Sequence, residues 1–261
     1  MGASPDYPRL AAEVLGVRNA PPELARRLVS QALVIEDRRE VWQAAGERIA
    51  AAAPPSPGVY VLRDSDGAVL YVGKTISLRR RLRTHFAVRR WKGLKAPLAR
   101  AADADWTEVG SELEGLLREA VLIRELQPVV NVQTGPPAAM RRMTPPALVR
   151  DVLVVLPSID QEAVELAGAR VDGGWVLQRT ARNGSELATH ARRMFRFFHS
   201  PLRTREDQAP LAPLVFSWLA GRGATATRLD PHDMPTVKAL RERLMTLFAD
   251  ERLFTERLVV R

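Results

Sequence analysis

The 261-residue chain contains no cysteine, and that absence removes disulfide scaffolds, zinc–cysteine sites, iron–sulfur clusters and cysteine nucleophiles. No stretch approaches the roughly 18 uncharged apolar residues of a membrane-spanning helix, so no membrane partner is expected. The N-terminal MGASPDYPRLAAEVLG places an acid at Asp6 and lacks the basic-then-apolar order of a secretion signal, so the expected location is cytoplasmic. Aromatic residues make up only 6% of the chain, with three tyrosines in all. Histidine numbers four, and His190, His199 and His232 fall at no metal-ligand spacing.

What is present is an ordinary globular composition, 46% hydrophobic and 26% charged, in a length suited to one or two domains with a real core. The 39 Lys+Arg outweigh 30 Asp+Glu to give a formal charge of +9, which points to an anionic partner, nucleic acid foremost. The excess is concentrated. Between Lys74 and Arg100 lie ten cations (Lys74, Arg79, Arg80, Arg81, Arg83, Arg89, Arg90, Lys92, Lys95, Arg100) and no acid. Such a run is either a solvated helix face or a patch that contacts phosphates with salt-dependent affinity. His85, Phe86 and Trp91 lie among these cations, where aromatic rings stack on bases if they are exposed.

Residues 1–53, rich in Ala, Leu, Arg and Glu, read as two or three helices broken at Pro21-Pro22, and AAAPPSP at 51–57 marks a boundary. Residues 59–62 and 69–72 are β-rich runs flanking Asp66-Gly67, the pattern of a hairpin. A basic helix over 77–86 and a short strand at 106–109 follow. Ser111 and Glu114 have the spacing of a capping box that opens a helix reaching Pro128, with Leu113, Leu116, Leu117, Ala120 and Val121 as its apolar stripe. Beyond prolines at 136–137 and 145–146, strands are expected at 152–156, 175–177 and 225–229, with helices at about 184–199, 209–221 and 235–249. In the first of these helices Leu187, Ala191, Met194, Phe195 and Phe198 form a core stripe, which leaves Arg192, Arg193 and Arg196 to face solvent or phosphate. Gly73-Lys74-Thr75 ends like a nucleotide-binding loop, but that pattern requires glycine five residues before Gly73, where Ala68 stands.

Two of the three tyrosines sit in the hairpin, in Gly58-Val59-Tyr60 and Tyr71-Val72-Gly73-Lys74. With Leu78-Arg79-Arg80-Arg81-Leu82, Glu119 on the next helix and Asn131 in Pro128-Val129-Val130-Asn131, residues 57–133 resemble the GIY-YIG nuclease superfamily. Within it they are most similar to the N-terminal nuclease domain of UvrC, the incision subunit of bacterial nucleotide-excision repair, and to its short single-nuclease relatives. The fold class expected is α+β. A helical segment (1–53) precedes a GIY-YIG domain (54–135) with a three-stranded antiparallel sheet flanked by helices, and a C-terminal α+β domain (146–261) that binds DNA or a partner follows.

The resemblance implies a metal-dependent DNA endonuclease of the bacterial cytoplasm or nucleoid, acting on duplex DNA, damaged or intact. It implies Glu119 as the ligand of one Mg²⁺ or Mn²⁺, since a hard cation takes one or two carboxylates plus substrate phosphate. Tyr60 is the implied general base or water-orienting group, Tyr71 its hydrogen-bonding partner and Lys74 its electrostatic support, because a phenol is a poor base unless a cation lowers its pKa. Arg81 is expected to clamp the scissile phosphate, and Asn131 to fix the nearby loop. Arg79, Arg80, Arg83, Arg89, Arg90, Lys92 and Lys95 are candidate backbone contacts or solvated charge. His85 stands where the repair relatives carry tyrosine, and proton relay, phosphate contact and packing are all open to it. The second, RNase H-like nuclease and helix-hairpin-helix tail of full-length incision subunits are not found, which implies a single-cut enzyme; docking onto damage-recognition proteins is left open. Two other readings stand beside this one: a nuclease of the same fold in restriction, mobile-element or recombination chemistry, and a non-catalytic nucleic-acid-binding module.

Overall fold

The computed structural model describes residues 6–87, 96–132, 144–201 and 211–250. Its first three helices are α1 (Tyr7–Leu15), α2 (Pro22–Asp37) and α3 (Arg39–Ala52). Asp6 caps α1 by accepting the Arg9 N–H, and Gly16 closes it at φ 70°, a left-handed conformation that glycine adopts freely. α1 and α2 form a small cluster around Ala11, Ala25 and Val29. α3 does not join them. Its Trp42, Ile49 and Ala53 side pack into the core of the following domain, where the Trp42 indole N–H bonds the Leu98 carbonyl at 3.0 Å.

That domain is built on β1 (Gly58–Asp64), β2 (Val69–Thr75) and β3 (Ala101–Glu108), an antiparallel sheet in the order β2-β1-β3. Gly67, at φ 84°, makes the hairpin turn that the Asp66-Gly67 pair predicts. β3 is longer than the expected strand at 106–109, because its first half pairs with β1 through Asp64↔Ala101 and Arg63↔Asp103. Period-two alternation splits the sheet into two buried faces. Tyr60 and Leu62 face α3 and α4 (Leu78–His85), packing on Leu78, Leu82 and Phe86. Val59, Val61 and Val72 face α5 (Glu112–Leu126), packing on Leu122, Ile123 and Leu126. After α5, a short α6 (Val129–Val132) lies against β2.

The C-terminal part carries a second antiparallel sheet, β6-β5-β4-β7, from β4 (Val152–Pro157), β5 (Ala163–Ala169), β6 (Trp175–Ala181) and β7 (Arg228–Leu229). Two helices, α7 (Leu187–His199) and α9 (Val237–Phe248), cover its Leu153, Val155, Val164 and Leu166 face. On the other face, Val152, Val154 and Leu156 meet α8 (Ala212–Leu219) and the predicted stripe of α5: Leu113, Leu116, Leu117 and Ala120. α5 is therefore sandwiched between the two sheets, and the stripe that marks it as amphipathic is buried against the C-terminal part and not against its own sheet. The junction is close. A Cβ on Gly110 would lie 2.2 Å from the Ser158 carbonyl carbon. Polar groups are buried there too: Glu114 (0% exposed) pairs with Arg118 at 2.8 Å and Arg179 at 3.6 Å, and Glu165 (1% exposed) accepts from Arg179 at 2.5 Å.

Two sequence expectations change here. β5 carries no strand signal in the sequence, because Ala-Val-Glu-Leu-Ala-Gly-Ala shows neither alternation nor β-branched enrichment; it is a strand because both of its faces are buried. β7 is limited to two residues of the expected 225–229. No described helix is long and apolar enough to cross a membrane.

Candidate active site

The site is assembled by the β1–β2 register. Tyr60 pairs with Gly73, and Leu62 with Tyr71, so the two tyrosines lie diagonally on one face with ring centroids 5.9 Å apart. Gly73 opposite Tyr60 is what leaves them space: a Cβ there would lie 2.8 Å from the Tyr60 Oη and 2.7 Å from Tyr71 Cε1. α4 supplies the next two groups. Ser77 caps it by accepting the Arg80 N–H, Leu78 and Leu82 anchor its inner side, and Arg81 and His85, four residues apart, project together toward the tyrosines.

Tyr60 is fully buried. Its Oη accepts from Arg81 Nε at 3.3 Å and lies 2.8 Å from His85 Nε2. The His85 ring is also 5.4 Å from that of Tyr71. Burial, followed by the neighbouring Tyr71, pushes the Tyr60 phenol well above its ordinary pKa, and the Arg81 cation only partly opposes the rise. Arg81 is itself raised above its usual value, first by its coulombic attraction to Tyr60. At neutral pH Tyr60 is thus a neutral phenol, and its single proton is available to His85 Nε2 when that nitrogen is unprotonated.

The open edge of β2 supplies the remaining groups. Asn131 Oδ1 accepts the Val72 N–H at 2.8 Å and its Nδ2 donates to the Val72 carbonyl at 2.9 Å. Two residues on, Glu119 Oε1 accepts the Lys74 N–H at 3.0 Å. Among the described residues, no hydrogen bond engages Glu119 Oε2. Burial raises the Glu119 carboxyl above its ordinary pKa, opposed by Lys74 and Arg81. A single carboxylate with a free oxygen fits a cation that keeps most of its water ligands, the habit of Mg²⁺, and added positive charge would offset the burial cost. No cluster of three or more His, Asp or Glu that could cage a metal occurs among the described residues.

The structure brings Tyr60, Tyr71, Arg81 and His85 together and places Glu119 and Asn131 along the adjoining strand edge. It places Lys74 differently from expectation: the ammonium lies 3.8 Å from Glu112, and the cation on the Tyr60 hydroxyl is Arg81. Arg79 is half-buried, donating to the Ala53 carbonyl at 2.8 Å, so it ties α4 to α3 instead of facing solvent. Arg80 and Arg83 are exposed on the outer side of α4. Phe86 is buried against Trp42, centroids 5.0 Å apart, and so is not a ring for stacking bases. Arg89, Arg90, Trp91, Lys92 and Lys95 lie outside the described residues. Glu114 of the predicted capping box bonds the Gly110 N–H and not that of Ser111, while the Ser111 hydroxyl caps the helix as expected.

A three-stranded sheet with two tyrosines on one face, an arginine-rich helix over them and a glutamate at the strand edge defines a GIY-YIG-type site. Residues 56–132 match the family of UvrC-like GIY-YIG domains, so the chain carries a GIY-YIG domain homologous to the UvrC endonuclease domain. The UvrABC system protein C of Desulforudis audaxviator is 42% identical over 79 residues, covering 30% of this chain and 13% of that protein. The protein of the same name from Geobacter metallireducens is 30% identical over 221 residues, covering 76% of this chain and 34% of its own length. The chain therefore spans between about an eighth and a third of the length of these relatives. The magnesium-bound GIY-YIG domain of UvrC from Thermotoga maritima is 27% identical over 33% of this chain and 94% of that one, with a TM-score of 0.29.

Proposed function

We propose that the protein is a divalent-metal-dependent DNA endonuclease that makes one incision in nucleotide-excision repair. The observation that carries the reading is the part-buried hydrogen-bonded set at the Tyr60 hydroxyl, with His85 on one side, Arg81 on the other and Glu119 at the neighbouring strand edge. A phenol held above its normal pKa cannot work as a pre-formed phenolate. It can pass its proton to His85 Nε2 while taking one from an attacking water, and the 2.8 Å contact supports that relay. Arg81 has five N–H donors, so its bond to Tyr60 leaves others to hold the scissile phosphate and the charge that grows on it. Glu119 Oε2 would hold the Mg²⁺ or Mn²⁺, which when bound supplies positive charge for the phosphoryl oxygens. Asn131, closing the backbone of Val72, keeps the β2 edge and hence Glu119 in position.

The relatives are named as components of the UvrABC system, which supports damaged duplex DNA as substrate and the damage-recognition proteins of that system as partners. The test is cleavage of end-labelled duplex, with and without a bulky lesion, in Mg²⁺ or Mn²⁺, comparing the parent protein with Glu119→Gln. Nicking placed relative to the lesion and lost in Glu119→Gln is expected. Sequence-defined cutting of intact DNA would move the protein to restriction or mobile-element chemistry, and full activity in Glu119→Gln would overturn the site.

A further inference from the structure

Beside the site lies a cavity of about 250 Å³ that the chemistry above does not use. Its walls include Gly58, Ile76 and Gly115, and Lys74, Glu112 and Arg222 stand at its polar side. Glu112 binds both cations: Lys74 Nζ lies 3.8 Å from its Oε1, Arg222 pairs with the same oxygen, and the Trp218 indole donates to Oε2 at 3.3 Å. Two cations against one carboxylate leave the cavity with one positive charge in excess. Arg222 comes from the C-terminal part, so this is where that part meets the ends of β1 and β2 and the start of α5.

Position ties the cavity to the substrate path. Lys74 serves both places, its backbone N–H on Glu119 and its ammonium in the cavity. Gly115 lies one helical turn before Glu119, about 6 Å along α5. Gly115 is also a helix-interior glycine that packing does not require: a Cβ there would meet nothing closer than Val109 Cγ2 at 3.5 Å, an ordinary contact. Glycine at such a place is less favourable in a helix than alanine, a cost that close approach of a ligand to the helix would explain. The volume is below the roughly 300 Å³ at which drug-sized ligand pockets begin, and it suits a sugar and its phosphate.

We propose that this cavity receives the nucleotide next to the scissile phosphate, its phosphate between Lys74 and Arg222 and its sugar against Gly58, Ile76 and Gly115. The proposal rests on the endonuclease reading. It assigns a DNA contact to the C-terminal part and makes Glu112 a restraint on affinity, since it competes with the phosphate for both cations.

The experiment measures binding of a short labelled duplex of arbitrary sequence across a salt series, in Mg²⁺, with full-length Glu119→Gln protein as the non-cutting parent. Into it are placed Gly115→Ala, Arg222→Ala and Glu112→Gln, with a thermal melt of each. Gly115→Ala is expected to melt higher yet bind more weakly. Arg222→Ala is expected to reduce the slope of log affinity against log salt by about 0.9, one phosphate contact. Glu112→Gln is expected to bind more tightly with a steeper slope, a direction misfolding cannot imitate. Parent-like affinity in Gly115→Ala and Arg222→Ala, or weaker binding in Glu112→Gln, would overturn the assignment while leaving the nuclease reading intact. Failure of the parent itself to bind DNA would overturn both.

Discussion

Replacing Gly73 with alanine adds one carbon where the site has no room for it. The new Cβ would lie 2.8 Å from Tyr60 Oη, 2.9 Å from Tyr60 Cζ and 2.7 Å from Tyr71 Cε1, whereas non-bonded carbon atoms settle at about 3.5–4.0 Å. One or both rings must therefore retreat by roughly 0.7 Å or more. Tyr60 is fully buried and tied at 2.8 Å to His85 and 3.3 Å to Arg81, so that retreat breaks the alignment of both bonds. The φ of Gly73 is not among the positive values, so alanine meets no backbone strain and the effect is steric alone. Overpacking of this kind costs about 1–3 kcal/mol of stability, at about 2–4 °C of melting temperature per kcal/mol for a chain this size. Displacement of catalytic groups by about 1 Å costs on the order of 100-fold in rate. The assay pairs a thermal melt with the single-turnover nicking rate of end-labelled duplex at saturating protein. A Gly73→Ala protein that cuts at the parent rate with an unshifted melt would refute the account of why glycine stands between the tyrosines.

Four further outcomes are expected. His85→Phe keeps the ring but removes the proton acceptor 2.8 Å from Tyr60; its nicking rate is expected to fall by about 100-fold or more, within the range for general-base catalysis, and a rate equal to the parent's would limit His85 to packing. Leu117→Ala, at a fully buried position between the two sheets, is expected to cost about 2–5 kcal/mol in urea unfolding and to lower the melt of the whole described structure in one transition; two separate transitions would show that the halves do not share a core. Arg179→Met leaves Glu165 buried and short of its partner, at a cost of about 3 kcal/mol, the low end for buried pairs because Arg179 is 42% exposed. Burial already raises the Glu165 carboxyl in the native state, so its proton-linked stability is fully present below the unfolded pKa and is lost as pH rises through the native one. The melt deficit of Arg179→Met is accordingly expected to be largest at neutral pH and to shrink in acid, and a deficit independent of pH would count against a charge origin. Ser111→Ala removes the hydroxyl that accepts the Glu114 N–H and is expected to lower stability by about 1 kcal/mol, read from the same urea series.

The local elements were legible where local chemistry dictates them. Asp66-Gly67 marked the hairpin, Ser111 the start of α5, and the spacing of Leu187, Ala191, Met194 and Phe198 the buried side of α7. β5 was not, since its seven buried residues are selected by neighbours on both faces and carry no period of their own. The stripe of α5 was visible, but which surface covers it was not, because amphipathicity specifies that a face is buried and never against what.

The candidate site divides along the same line. Tyr60, Tyr71, Arg81, His85, Glu119 and Asn131 were candidates in the sequence through the resemblance of residues 57–133 to the GIY-YIG superfamily. Sequence could not assign their contacts. It paired Lys74 with the phenol, whereas folding turns the Lys74 ammonium to Glu112 and puts Arg81 on Tyr60. Arg222, more than a hundred residues from Glu112, meets it because α5 and α8 pack side by side on one face of the second sheet. The chain alone determined which residues are chemically equipped and on which elements they ride, since capping, turns and periodicity act over a few neighbouring residues. Tertiary structure decided which cation meets which oxygen and which imidazole meets which hydroxyl, because those depend on distances between residues that the sequence separates.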